Sequence, residues 1–309
     1  MSVHNGDRYL TEQIESILAQ THESWTLWVR DDGSTDSTPE LLEQMASRDA
    51  RIRAHLFDGT RLGQKLSQDW LLSRLPSDAN YIFACDADDV WLPTKIEKSL
   101  AILRDEEARR GGAILLHTDL TVVDATLNPV ASSLWAMTGS NPHETDLGRI
   151  AVSNVATGPT LAFNRTLLEE LLPIPVDAAY HDWWIALVAS GIGRIVTLNE
   201  PTVLYRRHAH NMTSVGPSDL GSLLQKSTRI IRSRSTAPGV RRWVEQTSRQ
   251  AHAFLIRFGD RLDPSDRANM EDLANLPTRG FWRRKVGVMR HHAIPERGFL
   301  RNVGIVLRA

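Results

Sequence analysis

Five aspartates fall in two tight groups, Asp31-Asp32 and Asp86-Ala87-Asp88-Asp89. Each group follows a short, largely apolar run, Trp25–Arg30 in the first case and Tyr81–Cys85 in the second. If the chain stays extended past Cys85, Asp86 and Asp88 point to one side, because strand side chains alternate. Carboxylates crowded together raise one another's pKa unless a cation sits between them. Mg²⁺ or Mn²⁺ bridging to substrate phosphates answers that need, since Mg²⁺ takes one or two protein carboxylates and keeps phosphates as ligands. A third acidic position, Asp182 of His181-Asp182-Trp183-Trp184, stands at an expected helix start, where the helix dipole favours its charged form. Taken alone it reads as a helix-start cap beside core tryptophans. Turn formation and helix capping would account for each aspartate taken alone. Acidic groups after two apolar strands favour a site, because open α/β sheets collect ligands at strand carboxyl ends.

Alternating elements position these groups. Apolar spacing predicts helices over 8–20, 64–75 and 182–190, with Leu10, Ile14, Ile17 and Leu18 as the first stripe. Thr38 reads as an N-cap with Pro39 at the first helical position of a helix to about Ser47. Pro93 opens another, to about Arg110. Strands are expected at 25–30, 51–57, 113–117 and 160–163, and two short ones around Pro201. The continuous apolar run Tyr81–Cys85 predicts a buried central strand. Strands alternating with helices imply an α/β fold with a mostly parallel central sheet flanked by helices. Beyond about Gly216 the pattern turns helical and Arg-rich, suggesting a catalytic domain over 1–216 and a helical extension over 217–309.

The chain has 309 residues, 36 Lys+Arg against 37 Asp+Glu and a net charge of −1. That balance excludes a globally basic nucleic-acid coat, and no nucleic-acid partner is expected. A single cysteine, Cys85, excludes an internal disulfide or multi-cysteine zinc site and reads as a buried core residue. No apolar run reaches the roughly 20 residues of a spanning helix. A soluble, cytoplasmic protein is the expectation.

Tyr9-Leu10, Ile17-Leu18-Ala19-Gln20-Thr21, Arg30-Asp31-Asp32-Gly33-Ser34-Thr35-Asp36, Cys85-Asp86-Ala87-Asp88-Asp89-Val90-Trp91-Leu92-Pro93 and His181-Asp182-Trp183-Trp184 occur in the order seen in family 2 glycosyltransferases. The chain resembles the rhamnosyltransferase-like branch of that family, also at Thr157-Gly158-Pro159-Thr160, Phe163-Asn164-Arg165 and Tyr205-Arg206-Arg207-His208. The resemblance covers roughly residues 1–215. It implies a GT-A fold, a nucleotide-diphosphate sugar donor (dTDP- or UDP-linked), Mg²⁺ or Mn²⁺, and inversion at the anomeric carbon. It implies Asp32 at the nucleobase, Asp86 near the ribose and donor sugar, Asp88 as metal ligand and Asp182 as general base. His208 is a further metal or phosphate contact. Ser2, His4, Asp31, Lys65 and Arg206 complete the expected nucleotide-sugar contacts. The expected acceptor is a cell-surface polysaccharide or a lipid-linked glycan precursor.

The resemblance also implies an apolar first strand before His4-Asn5-Gly6, and that strand is apparently missing. A natural start about ten residues upstream of Met1, one strand plus a turn, would supply it. Residues 279–309 carry eight Lys and Arg against Glu296, interleaved with aromatic and aliphatic residues. That composition suits peripheral contact with an anionic membrane face, or equally a helix packed on the catalytic domain. Two alternatives stand beside the transferase. Asp86-Ala87-Asp88-Asp89-Val90 also fits a haloacid-dehalogenase-type phosphohydrolase with Asp86 as nucleophile. A nucleotide- or carbohydrate-binding module degenerate in catalysis is the other.

Overall fold

A computed structural model of the chain describes residues 1–208 and 238–278. Two sheets form the frame. The first is wholly parallel, in the order β1 (Ser2–Val3), β2 (Leu27–Asp31), β3 (Ile52–His55), with α1 (Asp7–Leu18) and α2 (Thr38–Arg48) as its crossovers. The first strand is therefore present, as a correction to the expectation. Ser2 pairs with Arg30 and Val3 with Asp31, and Arg30 N donates to Met1 O at 3.0 Å.

The second sheet has the order β4 (Tyr81–Phe83), β8 (Ala162–Asn164), β6 (Ile114–Val123), β9 (Arg194–Arg206), β5 (Val90–Trp91), with β7 (Pro129–Ala131) beside β6. It is mixed: β6 and β9 run parallel and its other pairs antiparallel. The two short strands expected around Pro201 are one continuous strand. Its register against β6 shifts between Leu198 and Pro201, where an irregularity absorbs a residue with no N–H to give the ladder. The central placement of Tyr81–Cys85 is also corrected. β4 pairs only with β8, and a groove of about 740 Å³ lined by Met1, Leu27, Trp28, Ile82 and Phe83 separates it from β2.

Helices α3 (Gln64–Leu72), α4 (Lys95–Arg110), α5 (Leu134–Thr138), α6 (Leu147–Val152), α7 (Arg165–Leu171) and α8 (His181–Ile192) cover the sheets. α8 is apolar all round, and Trp184, Ile185, Ala186, Leu187, Val188 and Ala189 are buried. Part of what covers it is α9 (Pro238–Phe258), followed by α10 (Pro264–Ala274). Phe254 and Phe258 lie 6.2 and 6.4 Å, ring centre to ring centre, from Trp184. Burying such an aromatic contributes about 2 kcal/mol. These C-terminal helices thus share one core with the Asp182 helix. The expected boundary at 216 and the basic stretch 279–309 lie outside the described residues.

Thr38 does not cap α2. Its hydroxyl accepts from Gly6 N at 2.8 Å, tying the turn after β1 to the second helix, while Ser37 occupies the cap position. Gly6 is required there, because a Cβ would lie 2.6 Å from Val3 Cγ2. Asn5 holds a left-handed φ of 53°, and its Oδ1 accepts from Thr35 N. This interlock shapes one wall of the site.

Candidate active site

One open cleft of about 1200 Å³ gathers groups from both sheets. Ser2, His4, Asp32, Asp86, Asp88, Asp182 and His208 line it, with Gly158, Tyr180, His181, Trp183 and Trp243. The parallel strands β1 and β2 release the chain on one side, and the loop after β4, in the other sheet, meets them in the same cleft.

The chain does not stay extended past Cys85: β4 ends at Phe83 and the backbone bends at Ala87–Asp88, so that Asp86, Ala87 and Asp88 all line the cleft. Asp89 is fully buried and accepts from Arg206 N at 3.0 Å. Burial, then the like charges of Asp88 and Asp182, pushes the Asp86 carboxyl up to about 7. Burial, then the like charges of Asp88 and Asp86, pushes Asp89 well above the carboxylate range. Three carboxylates sharing a cleft wall form an environment short of positive charge, which suits a cation. His208 Nε2 lies 3.0 Å from Asp88 Oδ2, giving one imidazole and one carboxylate on the same point. Among the described residues no three such side chains form a closed metal cage. A two-ligand edge fits Mg²⁺ or Mn²⁺, which leave most positions to water and phosphate.

Asp182 sits in the first turn of α8. Its Oδ1 accepts from Trp183 N at 2.7 Å and its Oδ2 from Gly158 N at 3.2 Å. Both bonds fix the carboxylate with lone pairs remaining. His181 beside it is buried, and desolvation, offset in part by Asp182, lowers its pKa, so the ring is neutral. Trp184 is core, its indole donating to Leu171 O at 3.0 Å.

Asp32 accepts from Leu62 N at 2.9 Å and Gly63 N at 2.7 Å and pairs with Arg30. Burial opposes the charged form, but these donors outweigh it and hold the carboxyl below its usual range. Asp32 thereby shapes the 62–63 turn as well as lining the cleft.

Three expected contacts stand elsewhere. Asp31 is buried and accepts from Ser34 N and Oγ, closing the Asp-Gly turn. Lys65 does not line the cleft; its ammonium donates to Val176 O and to Ala178 O at 2.8 Å. Arg206 is also absent from the lining. It is buried and donates to Asp88 O, Ala125 O and Glu12, with its guanidinium 4.4 Å from the Tyr9 ring centre. Tyr9 in turn lies 4.9 Å from the His208 ring. Arg206 is a clamp behind the acidic loop rather than a phosphate contact. A long cation next to an acidic motif reads as substrate-binding until the backbone carbonyls around it are known.

The sequence reading assigned no role to Gly158 or Trp243. Gly158 stood within a quoted motif, but only the fold reveals that it faces two aspartates. Trp243 belongs to α9, which no local pattern connects to the cleft. Cys85 is buried as expected, and burial pushes its thiol up to about 12, so it is inert.

The fold is a mixed α/β fold of the GT-A type. Residues 1–122 match the family described as Glycosyl transferase family 2. The structure is similar to Staphylococcus aureus TarS 1–349 in complex with UDP-GlcNAc, with TM-score 0.52 and 16% identity, covering 99% of this chain and 86% of that one. It is also similar to the mannosyltransferase PcManGT from Pyrobaculum calidifontis in complex with GDP-Man and Mn²⁺, with TM-score 0.51 and 18% identity, covering 99% and 76%. In sequence it is 26% identical over 269 residues to an uncharacterized glycosyltransferase of Nostoc, covering 84% of this chain and 75% of that protein. Asp86, the nucleophile of the phosphohydrolase alternative, lies inside the segment that matches the family 2 model. Among the described residues, no helix is long and apolar enough to cross a membrane.

Proposed function

We propose that the protein is an inverting glycosyltransferase that moves a sugar from a nucleotide-diphosphate donor to a hydroxyl of a polysaccharide or lipid-linked glycan acceptor. The observation that carries this reading is the shared cleft. Asp32, Asp86 and Asp88 come from strand ends on one side, and Asp182 comes from a helix start that meets Asp86 across Gly158.

Asp32 reads the nucleobase, Asp86 the ribose and donor sugar, and Ser2 and His4 border the nucleotide. Asp88 with His208 would hold Mg²⁺ or Mn²⁺, which supplies Lewis-acid stabilisation of the departing diphosphate. Asp182 takes the proton of the acceptor hydroxyl as that oxygen attacks the anomeric carbon from the face opposite the diphosphate. Such general-base assistance is worth about 10²–10⁴-fold in rate. Its two backbone hydrogen bonds hold the carboxylate in one orientation, so little reorganisation is needed at the moment of reaction.

The donor nucleotide in this reading is dTDP or UDP, and dTDP-rhamnose is the first donor to test, on the resemblance of the chain alone. Association with a membrane face through 279–309 accompanies a lipid-linked acceptor. The test is release of nucleoside diphosphate from a set of nucleotide sugars with Mn²⁺ and with chelator. Release that requires the metal and falls in Asp182→Asn supports the transferase. Donor binding with no turnover in any acceptor mixture supports a catalytically degenerate module instead.

A further inference from the structure

Residues 172–180 form neither helix nor strand and lead from α7 to the start of α8, where Asp182 stands. Pro173 and Pro175 carry no N–H, and with no ladder beside it the segment depends on other partners for its backbone polar groups. Side chains from two helices supply them. From α3, Lys65 donates to Val176 O and to Ala178 O at 2.8 Å, and Asp69 Oδ1 accepts from Ile174 N at 2.7 Å. Lys65 and Asp69 are four positions apart, so both project from one face of that helix. From α9, Gln250 Oε1 accepts from Ala179 N at 3.0 Å, and Arg257 donates to the carbonyls of Leu171, Leu172 and Pro173. Ile174 and Ala178 are buried among these ties. Tyr180 then serves as the N-cap of α8 without a side-chain cap, and its O accepts from Trp184 N at 3.1 Å. At its other end, α3 begins directly after the Leu62–Gly63 turn that Asp32 holds.

We propose that Lys65 and Asp69 are positioning residues for Asp182: through the 174–180 segment they set the helix start that carries it against the Asp32 side of the cleft. This inference rests on the transferase reading above. Neither side chain lines the cleft, so both act on the reaction only through where Asp182 stands. A general base must lie within hydrogen-bond reach of the proton it takes. A misplacement of about 1 Å, caused far from the chemistry, can cost about 10²-fold in rate. An ammonium on two carbonyls and a carboxylate on an N–H make charge-assisted bonds, stronger than the neutral bonds of an ordinary loop. One helix face thus grips both a donor and two acceptors of the segment, which resists shift in either direction.

The experiment pairs a disruptive with a conservative change at each position. Lys65→Met keeps the aliphatic stem and removes the ammonium, whereas Lys65→Arg keeps a cationic donor. Asp69→Leu removes the acceptor, whereas Asp69→Asn keeps one for Ile174 N. Release of nucleoside diphosphate from a panel of UDP-, dTDP- and GDP-sugars in Mn²⁺, by the whole protein, gives kcat and donor KM. Hydrogen exchange read by mass spectrometry follows the 174–183 amides, and a thermal melt accompanies each variant. In Lys65→Met and Asp69→Leu, kcat should fall by about tenfold or more with donor KM within about twofold. Exchange of the 174–183 amides should quicken in both. Lys65→Arg and Asp69→Asn should restore most of the rate and of the protection. If Lys65→Met melts below the assay temperature, the Asp69 pair carries the test. Unchanged kcat in the disruptive variants overturns the inference, as does a loss that falls on donor KM, or equal loss in Asp69→Asn and Asp69→Leu. Absence of release by the unaltered protein overturns the transferase reading beneath it, whereas release that the variants leave unchanged overturns the positioning role alone.

Discussion

Asp86 and Asp182 meet across Gly158: a Cβ there would lie 3.7 Å from Oδ2 of each. One carboxylate is carried by the loop after β4 and the other by the first turn of α8. Their approach depends on a residue with no side chain, whose own N–H donates to Asp182.

Gly158→Ala should therefore separate activity from stability. The added methyl meets ordinary contact distances, so the melting temperature should shift little. The same methyl occupies the space between the two carboxylates, and kcat should fall by at least about tenfold, the effect of a small misplacement of reacting groups. Steady-state kinetics beside a thermal melt check both halves.

Asp182→Asn keeps the shape and one hydrogen-bond acceptor but loses the base. It should lower kcat by about 10²–10⁴-fold, with a much smaller change in donor KM. A parallel rise in donor KM with kcat unchanged would make Asp182 a binding group only.

Arg206 fixes three segments through one guanidinium, to Asp88 O, Ala125 O and Glu12. Arg206→Met should cost about 3 kcal/mol in urea denaturation, because it strands buried acceptors. Glu12→Gln should cost under about 1 kcal/mol, since the Glu12 side chain is half exposed.

His117, on β6, is fully buried, and that burial pushes its imidazole down to about 4. The unfolded chain takes up a proton near its ordinary pKa of about 6.5, which the folded protein refuses until about 4. This contribution to stability is thus complete above about pH 6.5 and lost as pH falls toward 4, by about 3 kcal/mol in all. His117→Gln should lack that part of the slope when urea midpoints are compared across this window.

The distribution of legible and illegible features has a physical cause. β2, β3, α1, α4 and α8 follow from apolar period and Pro placement, and each lies close to its expected span. The nearness of Asp86 to Asp88 followed from their closeness in sequence, but not from strand alternation, since the loop bends at Ala87–Asp88 and Ala87 lines the cleft with them. Long-range partners were hidden. Lys65 and Arg206 end on backbone carbonyls contributed by distant loops, which no spacing encodes. The Pro201 irregularity looked like a strand break, since only the β6 ladder reveals its continuity. Trp243 reached the cleft through the packing of α9, where Phe254 meets Trp184.

The central claim is that Asp88 and His208 place a cation against a nucleotide diphosphate in this cleft. Calorimetric titration of UDP, dTDP and GDP tests it most directly, with Mn²⁺ and with chelator, on the unaltered protein and on Asp88→Asn. At least one of these nucleotides should bind in Mn²⁺, weaken by roughly tenfold or more in chelator, and lose that metal increment in the variant. Equal affinity with and without metal, or no nucleotide binding under either condition, would contradict it.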